Sequence, residues 1–192
     1  SGIEMLDLIS NKPDSKNIGF EIVKKDLMDE YIEEVKSQAS KNSKKIKVVV
    51  DCGNGSAGEI APKLMRALGH EVVELFCEID GNFPNHHPDP GKLANLQDLI
   101  KAVKDEKADL GLAFDGDGDR VGLITEKGNV VLPDKIMMLF AEDVLANNNG
   151  GQIIFDVKCS NSLAQIIEAN GGEPVMSPTG HFHIKNKLRE TN

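Results

Sequence analysis

The sequence predicts an α/β protein of two successive βαβ-type units with mixed, mainly parallel sheets, the second unit truncated. Three observations support this. Short apolar, β-branched runs recur, and glycine- and asparagine-rich turns separate them from amphipathic helical patterns. Strand and helix patterns alternate, as they do where parallel strands are joined by right-handed crossovers. The second cycle supplies only two strand runs, too few for a comfortable sheet.

Residues 3–12 read as a short helix or linker with Ile3, Leu6 and Ile9 on one side, and 12–19 as a polar loop. Asp26 opens a helical pattern through Leu27, Tyr31, Ile32 and Val35, and can cap it, with Asp29 three residues on. Residues 41–47 form a basic connector. The apolar run 46–50 is a buried strand. A glycine-rich turn leads into a helix over 57–68 that stops at Gly69. Residues 72–76 form the next strand, and 80–91 a loop rich in Pro, Asn and His. Residues 93–104 place Leu93, Leu96, Leu99, Ile100 and Val103 at helical spacing, and 110–114 form a third strand. Strands 121–125 and 130–132 flank Lys127-Gly128-Asn129, a hairpin signal. The second cycle has a helix over 134–146 carrying Ile136, Met137, Leu139, Phe140 and Leu145, and a stop at 147–151. A strand at 153–157, a helix at 160–169, a strand at 174–176 and a helix at 181–190 complete it.

A chain of 192 residues predicts one or two domains. Its net charge of −9 argues against nucleic acid or an anionic membrane as the main partner. A phosphorylated substrate would then need local positive charge. Cys52, Cys77 and Cys159 are an odd set without metal-ligand spacing, and read as reduced thiols of a cytoplasmic protein. No apolar run is long enough to span a membrane, and no signal-peptide pattern is evident.

The most specific motif is Phe114-Asp115-Gly116-Asp117-Gly118-Asp119-Arg120, at the end of the third strand. Three carboxylates so close in sequence repel one another. Glycines let the loop curl and aim them at one point, an arrangement that a hard cation makes favourable. Arg120 beside them can hold a phosphate oxygen. The group reads as a metal-assisted phosphate site. An EF-hand loop would also place Asp at alternate positions, with Glu126 at its end. However, Arg120 stands where that loop needs glycine, and strands rather than helices flank it.

Gly53-Asn54-Gly55-Ser56-Ala57-Gly58 fits the dinucleotide fingerprint between a strand and a helix, with Glu74 about 20 residues further on. The alternatives are an NAD-binding dehydrogenase domain using Gly53, Gly55 and Gly58, or a glycine turn that lets helix and strand pack closely. In Phe83-Pro84-Asn85-His86-His87-Pro88-Asp89-Pro90 the prolines hold the chain extended, which suits a rigid loop lining a cleft better than a zinc site. Lys158 follows a strand end, where open α/β sheets place ligand contacts, and Cys159 reads as a packed small residue. His181 precedes a helix and is a plausible proton carrier near neutral pH.

These motifs, in this order, resemble the α-D-phosphohexomutases, most closely their bacterial phosphomannomutase/phosphoglucomutase branch. The matching stretches are 51–58, 83–90, 111–120, 156–160 and Thr179-Gly180-His181, and the resemblance covers nearly the whole chain. It implies a four-domain enzyme in which a phosphoserine exchanges its phosphoryl group with a hexose 1- or 6-phosphate. Asp115, Asp117 and Asp119 would hold Mg²⁺, Arg120 would contact phosphate, and Lys158 and His181 would face the sugar. The serine loop, the sugar-selecting loop and the last domain lie outside this sequence. The resemblance thus divides the chain into a linker from a first domain (1–26), a metal-binding second domain (27–129) and the start of a third (130–192). Its partners would be a phosphorylated hexose and the remaining domains of the parent enzyme, and alone it would be inactive. Phe182 stands where the family often has serine, and Asn161 where a basic residue is common.

Overall fold

The computed structural model describes residues 26–39 and 44–191. The expected helix and loop within 3–19 lie outside them, as does part of the basic connector.

Helix α1 (Met28–Gln38) starts where Asp26 Oδ1 accepts a hydrogen bond from the Met28 N–H at 2.9 Å. Only Ile32 of its apolar stripe is buried, whereas Leu27 and Tyr31 are exposed. Strand β1 (Lys47–Asp51), helix α2 (Ala57–Ala67), strand β2 (Glu71–Leu75), helix α3 (Gln97–Asp105) and strand β3 (Leu110–Phe114) follow. Strands β4 (Val121–Thr125) and β5 (Val130–Val131) return as a meander. The sheet order is β2-β1-β3-β4-β5, with β1 parallel to both its neighbours and the β3–β4 and β4–β5 pairs antiparallel.

Strand β1 is buried on both faces, as its unbroken valine run requires. Successive side chains of a strand point to opposite faces. Val49 therefore packs with Leu99, Val103 and Ile124 on the α3 side, while Val48 and Val50 meet Ala57 and Ala61 of α2.

In the second unit, helix α4 (Pro133–Asn148) begins with proline at its first position, where no N–H is missed. Strand β6 (Gly151–Asp156), helix α5 (Asn161–Ala169), strand β7 (Gly172–Ser177) and helix α6 (His181–Thr191) follow. β6 and β7 form a two-stranded parallel sheet. Leu145, Phe155, Leu163 and Ile167 form its core. The β6–α5–β7–α6 order repeats β1–α2–β2–α3.

Several boundaries differ from expectation, each for a local reason. Asp51 belongs to β1 rather than to the turn, because the half-buried His86 ring meets its carboxylate. The helix expected over 93–104 opens as a 3₁₀ turn at Leu93–Leu96, leaving Leu93 exposed. Helix α4 runs two residues beyond 146 and stops where Asn149 and Gly150 take positive φ (51° and 100°). Strands β6 and β7 each start earlier than their apolar residues suggested.

Candidate metal centre

Strands β3 and β4 form a hairpin whose tip is residues 115–120. The Asp115 N–H bonds to the Arg120 carbonyl at 3.2 Å, the Gly118 N–H bonds to the Asp115 carbonyl at 3.2 Å, and Gly118 adopts φ 77°. This curl brings one oxygen from each of Asp115, Asp117 and Asp119 within 4.8 Å of one another. Asp115 is buried at 2% exposure, while Asp117 and Asp119 are exposed. Because strands flank the loop, the EF-hand reading is excluded.

Arg120 grips Asp115 twice: its N–H donates to Oδ1 at 2.9 Å and its Nε to Oδ2 at 2.7 Å. Burial disfavours the Asp115 carboxylate, but these bonds outweigh it and hold the group below its usual range. Asp119 is pushed up, first by its hydrogen bond with Asp115 and then by the charges of Asp117 and Asp115. The loop has more negative charge than one guanidinium relieves. An all-oxygen donor set carrying surplus charge fits a hard cation.

Two further loops brace the tip. The turn after β1 lies against it: the Ser56 N–H donates to the Gly116 carbonyl at 3.0 Å, and a Cβ on Gly55 would come within 2.8 Å of that same oxygen. Asp51, fully buried, anchors the turn through the Gly53 N–H (2.9 Å) and meets His86 Nε2 at 3.0 Å. Burial raises the Asp51 carboxyl, and the Gly53 N–H and His86 only partly offset this. The 83–90 loop supplies His86, then Asn85, whose Nδ2 donates to Asn54 Oδ1 at 2.7 Å, then Asp89, which takes Arg120 Nη1 at 3.3 Å. Pro88 and Phe83 lie beside Gly116.

Among these residues, sequence reading missed Asp51, Asn54, His86 and Asp89 as a connected support. A carboxylate ending a fully apolar strand run was the available signal, since a buried charge needs a partner. A shallow pocket of about 220 Å³ beside Asp117 is lined by Tyr31, Ser56 and Phe114.

The dinucleotide reading is not supported. A Cβ on Gly58 would collide with the Cys77 carbonyl oxygen, and one on Gly53 would come within 3.0 Å of the His86 ring and Pro88. All three glycines face protein, not an open phosphate cradle. Glu74, expected at a ribose, pairs with Arg66.

Lys158 and His181 lie in the second unit, where Asp156 ends β6. Asp156 Oδ1 accepts the Lys158 N–H at 2.8 Å, and its Oδ2 accepts the Thr179 hydroxyl at 3.1 Å. The Lys158 side chain, 72% exposed, has its Nζ 3.7 Å from the same carboxylate. His181 is exposed at the first position of α6, following Gly180 at φ 128°. An open cavity of about 750 Å³ is lined by Leu132, Met137, Phe155, Asp156, Lys158 and Ser160. The structure thus gathers Asp115, Asp117, Asp119 and Arg120 at one strand end, and places Lys158 after β6 and His181 after β7 in the second unit.

Parallel strands bearing an acidic, arginine-clamped loop at a strand's carboxyl end define the class: an α/β protein with a strand-end acidic site. The chain belongs to the phosphoglucomutase/phosphomannomutase family, matching its alpha/beta/alpha domain II over residues 29–128 and its alpha/beta/alpha domain III over 132–192. It is 57% identical over 170 residues to a phosphomannomutase/phosphoglucomutase of Pseudomonas putida, covering 88% of this chain and 36% of the relative. It is 35% identical over 181 residues to a phosphomannomutase of Methanocaldococcus jannaschii, covering 94% of this chain and 40% of that one. A solved phosphoglucomutase/phosphomannomutase family protein from Burkholderia thailandensis matches with TM-score 0.82 and 53% identity, over 86% of this chain and 36% of that one. The chain therefore spans little more than a third of these relatives. Among the described residues no helix is long and apolar enough to cross a membrane.

Proposed function

We propose that this chain is the metal-binding part of a phosphohexomutase that interconverts hexose 1-phosphate and hexose 6-phosphate, with glucose or mannose as the sugar. The observation that carries this is the convergence of Asp115, Asp117 and Asp119 within 4.8 Å, clamped by Arg120. The names of the high-identity relatives support the substrate class.

In this reading Asp115, Asp117 and Asp119 hold Mg²⁺. When bound, the ion would supply positive charge against a transferring phosphoryl group. The buried Asp115 fixes the loop, while the exposed Asp117 and Asp119 present their carboxylates to the ion. Arg120 keeps 61% of its side chain exposed while bonded to Asp115, so its outer face can take a phosphate oxygen. Lys158 supplies a second positive charge, and His181 can carry a proton to or from a sugar hydroxyl. The phosphoserine lies in a part of the enzyme outside this chain, so the chain alone does not turn over substrate. We further assign residues 27–129 to the metal-binding domain and 130–192 to the start of the next.

The test is Asp117→Asn in the longer parent protein. Removing one ligand of the cation should cut turnover of glucose 1-phosphate by a factor on the order of 10²–10³ with the fold retained. In this chain, substoichiometric Mn²⁺ should broaden amide signals of residues 115–120, reversibly with excess Mg²⁺. Near-normal turnover together with diffuse broadening would overturn the proposal.

A further inference from the structure

The proposed chemistry makes no use of the cysteines, yet two of the three are in contact. Cys52 is the residue immediately after β1, fully buried, and Cys77 stands just past β2, half-buried. Their sulfurs are 3.5 Å apart. The backbones carrying them continue the strand pairing, with the Cys52 N–H on the Leu75 carbonyl at 3.1 Å and the Asn54 N–H on the Phe76 carbonyl at 2.7 Å. Cys159 lies in the second unit, packed against the core of that unit.

We infer that Cys52 and Cys77 are an oxidisable dithiol whose disulfide forms reversibly and acts on the turn that braces the acidic loop. A disulfide needs its sulfurs at about 2 Å, so the pair must close by roughly 1.5 Å. Cys52 sits between Asp51, bonded to His86, and the Gly53–Ser56 turn, bonded to Gly116. The Cys77 carbonyl lies over Gly58, which has no side chain to yield. Movement at either sulfur is therefore passed to the turn beneath residues 115–118.

The oxidant is a peroxide. The Cys77 sulfur, the more accessible of the two, attacks one peroxide oxygen. The O–O bond breaks, hydroxide leaves and takes up a proton as water, and Cys77 becomes a sulfenic acid. The Cys52 sulfur then attacks the Cys77 sulfur. The S–O bond breaks, the S–S bond forms, and the Cys52 proton leaves with the second water. Two thiols are oxidised and one peroxide is reduced to two waters. The order agrees with the electrostatics. The hydrogen bond between the two sulfurs, then burial, push the Cys52 thiol well up, while that same bond lowers Cys77.

The test is hydrogen peroxide in small excess over the reduced full chain, followed by alkylation, intact mass and peptide mapping. The expected result is a loss of about 2 Da, a fall from three alkylatable cysteines to one, and a linked peptide pair carrying Cys52 and Cys77, all reversed by dithiothreitol. In Cys52→Ser, Cys77 should instead gain about 16 Da as a dimedone-reactive sulfenic acid. Amide shifts on oxidation should spread from residues 52 and 77 to 53–56 and 115–118, a readout that needs neither metal nor substrate. Independent oxidation of all three cysteines, or a bridge through Cys159, would overturn the dithiol. Shifts confined to the two cysteines would overturn its action on the loop.

Discussion

The ends of β3 and β6 each carry a loop built on an aspartate, Asp115 and Asp156, held in different ways. At β3, Asp115 is buried, gripped twice by Arg120, and backed by two other loops through Asp51, Ser56 and His86. At β6, Asp156 holds its own loop and Thr179, but Lys158 and His181 project into solvent. The first arrangement is fixed before any ligand arrives, at the cost of burying charge. The second leaves its polar groups hydrated and free to move. Preorganised groups act on charge without reorganising, whereas exposed ones must be ordered by what they bind.

The largest effect is expected from His86→Ala. It leaves the buried Asp51 carboxyl without its ring partner, and the loss of a buried group's hydrogen-bond partner costs about 1–3 kcal/mol, more where the group is charged. Urea denaturation of the purified variant checks this. A loss below about 1 kcal/mol would mean that the β1 turn does not depend on the pair and that the bracing is shallower than the geometry implies. Next comes Gly58→Ala. Its Cβ would collide with the Cys77 carbonyl, so the backbone must yield. About 1–3 kcal/mol of destabilisation is expected, the usual cost of overpacking, measurable as a lowered thermal midpoint.

Much of this was legible in the sequence because local chemistry dictated it. The valine run 48–50 could only be a strand buried on both faces, and the aspartates at 115–119 could only converge with a glycine between each pair. The Gly53–Gly58 turn was ambiguous by itself, since close packing and phosphate cradling ask the same of glycine. What decided it was the Cys77 carbonyl, 19 residues away in the chain, lying over Gly58. The Asp51–His86 pair spans 35 residues and the Asp89–Arg120 pair 31. Neither has a local pattern, because only the sheet topology brings the partners together. The exposed Leu93 and Leu27 show the same limit: periodicity names an apolar face but not whether anything covers it.

Two carboxylates, Asp51 in the first unit and Asp134 in the second, should also respond to pH with opposite sign. Asp51 is raised in the folded chain, mainly by burial. Its carboxyl then binds a proton more tightly folded than unfolded, so stability is highest below about pH 4 and falls as pH rises toward the raised value. Asp134, at the start of α4, is lowered by Ser160, whose N–H donates to its Oδ2 at 3.2 Å. Its contribution is present above about pH 4 and is lost as pH falls through the lowered value. Urea midpoints between pH 3 and 7 should therefore lose part of their decline with rising pH in Asp51→Asn, and part of their acid-side decline in Asp134→Asn. The slopes, not the midpoints, carry the comparison, since Asp51→Asn also weakens the contact with His86.

The smallest effect on the fold is expected from Lys158→Ala. Its ammonium is 3.7 Å from Asp156 at 72% exposure, and such a pair contributes about 0–1 kcal/mol. The Asp156 loop keeps its backbone bond from residue 158 and its bond from Thr179 after truncation. Stability should shift by no more than about 0.5 kcal/mol, the usual range for surface changes. Measured beside Asp117→Asn in the longer parent protein, the same variant separates fold from function. An unchanged thermal midpoint with reduced turnover would mean that Lys158 is held in place by the ligand it meets. A clear drop in the midpoint would instead mean that the β6 loop is braced through that lysine, and the contrast with the β3 loop would then be one of degree.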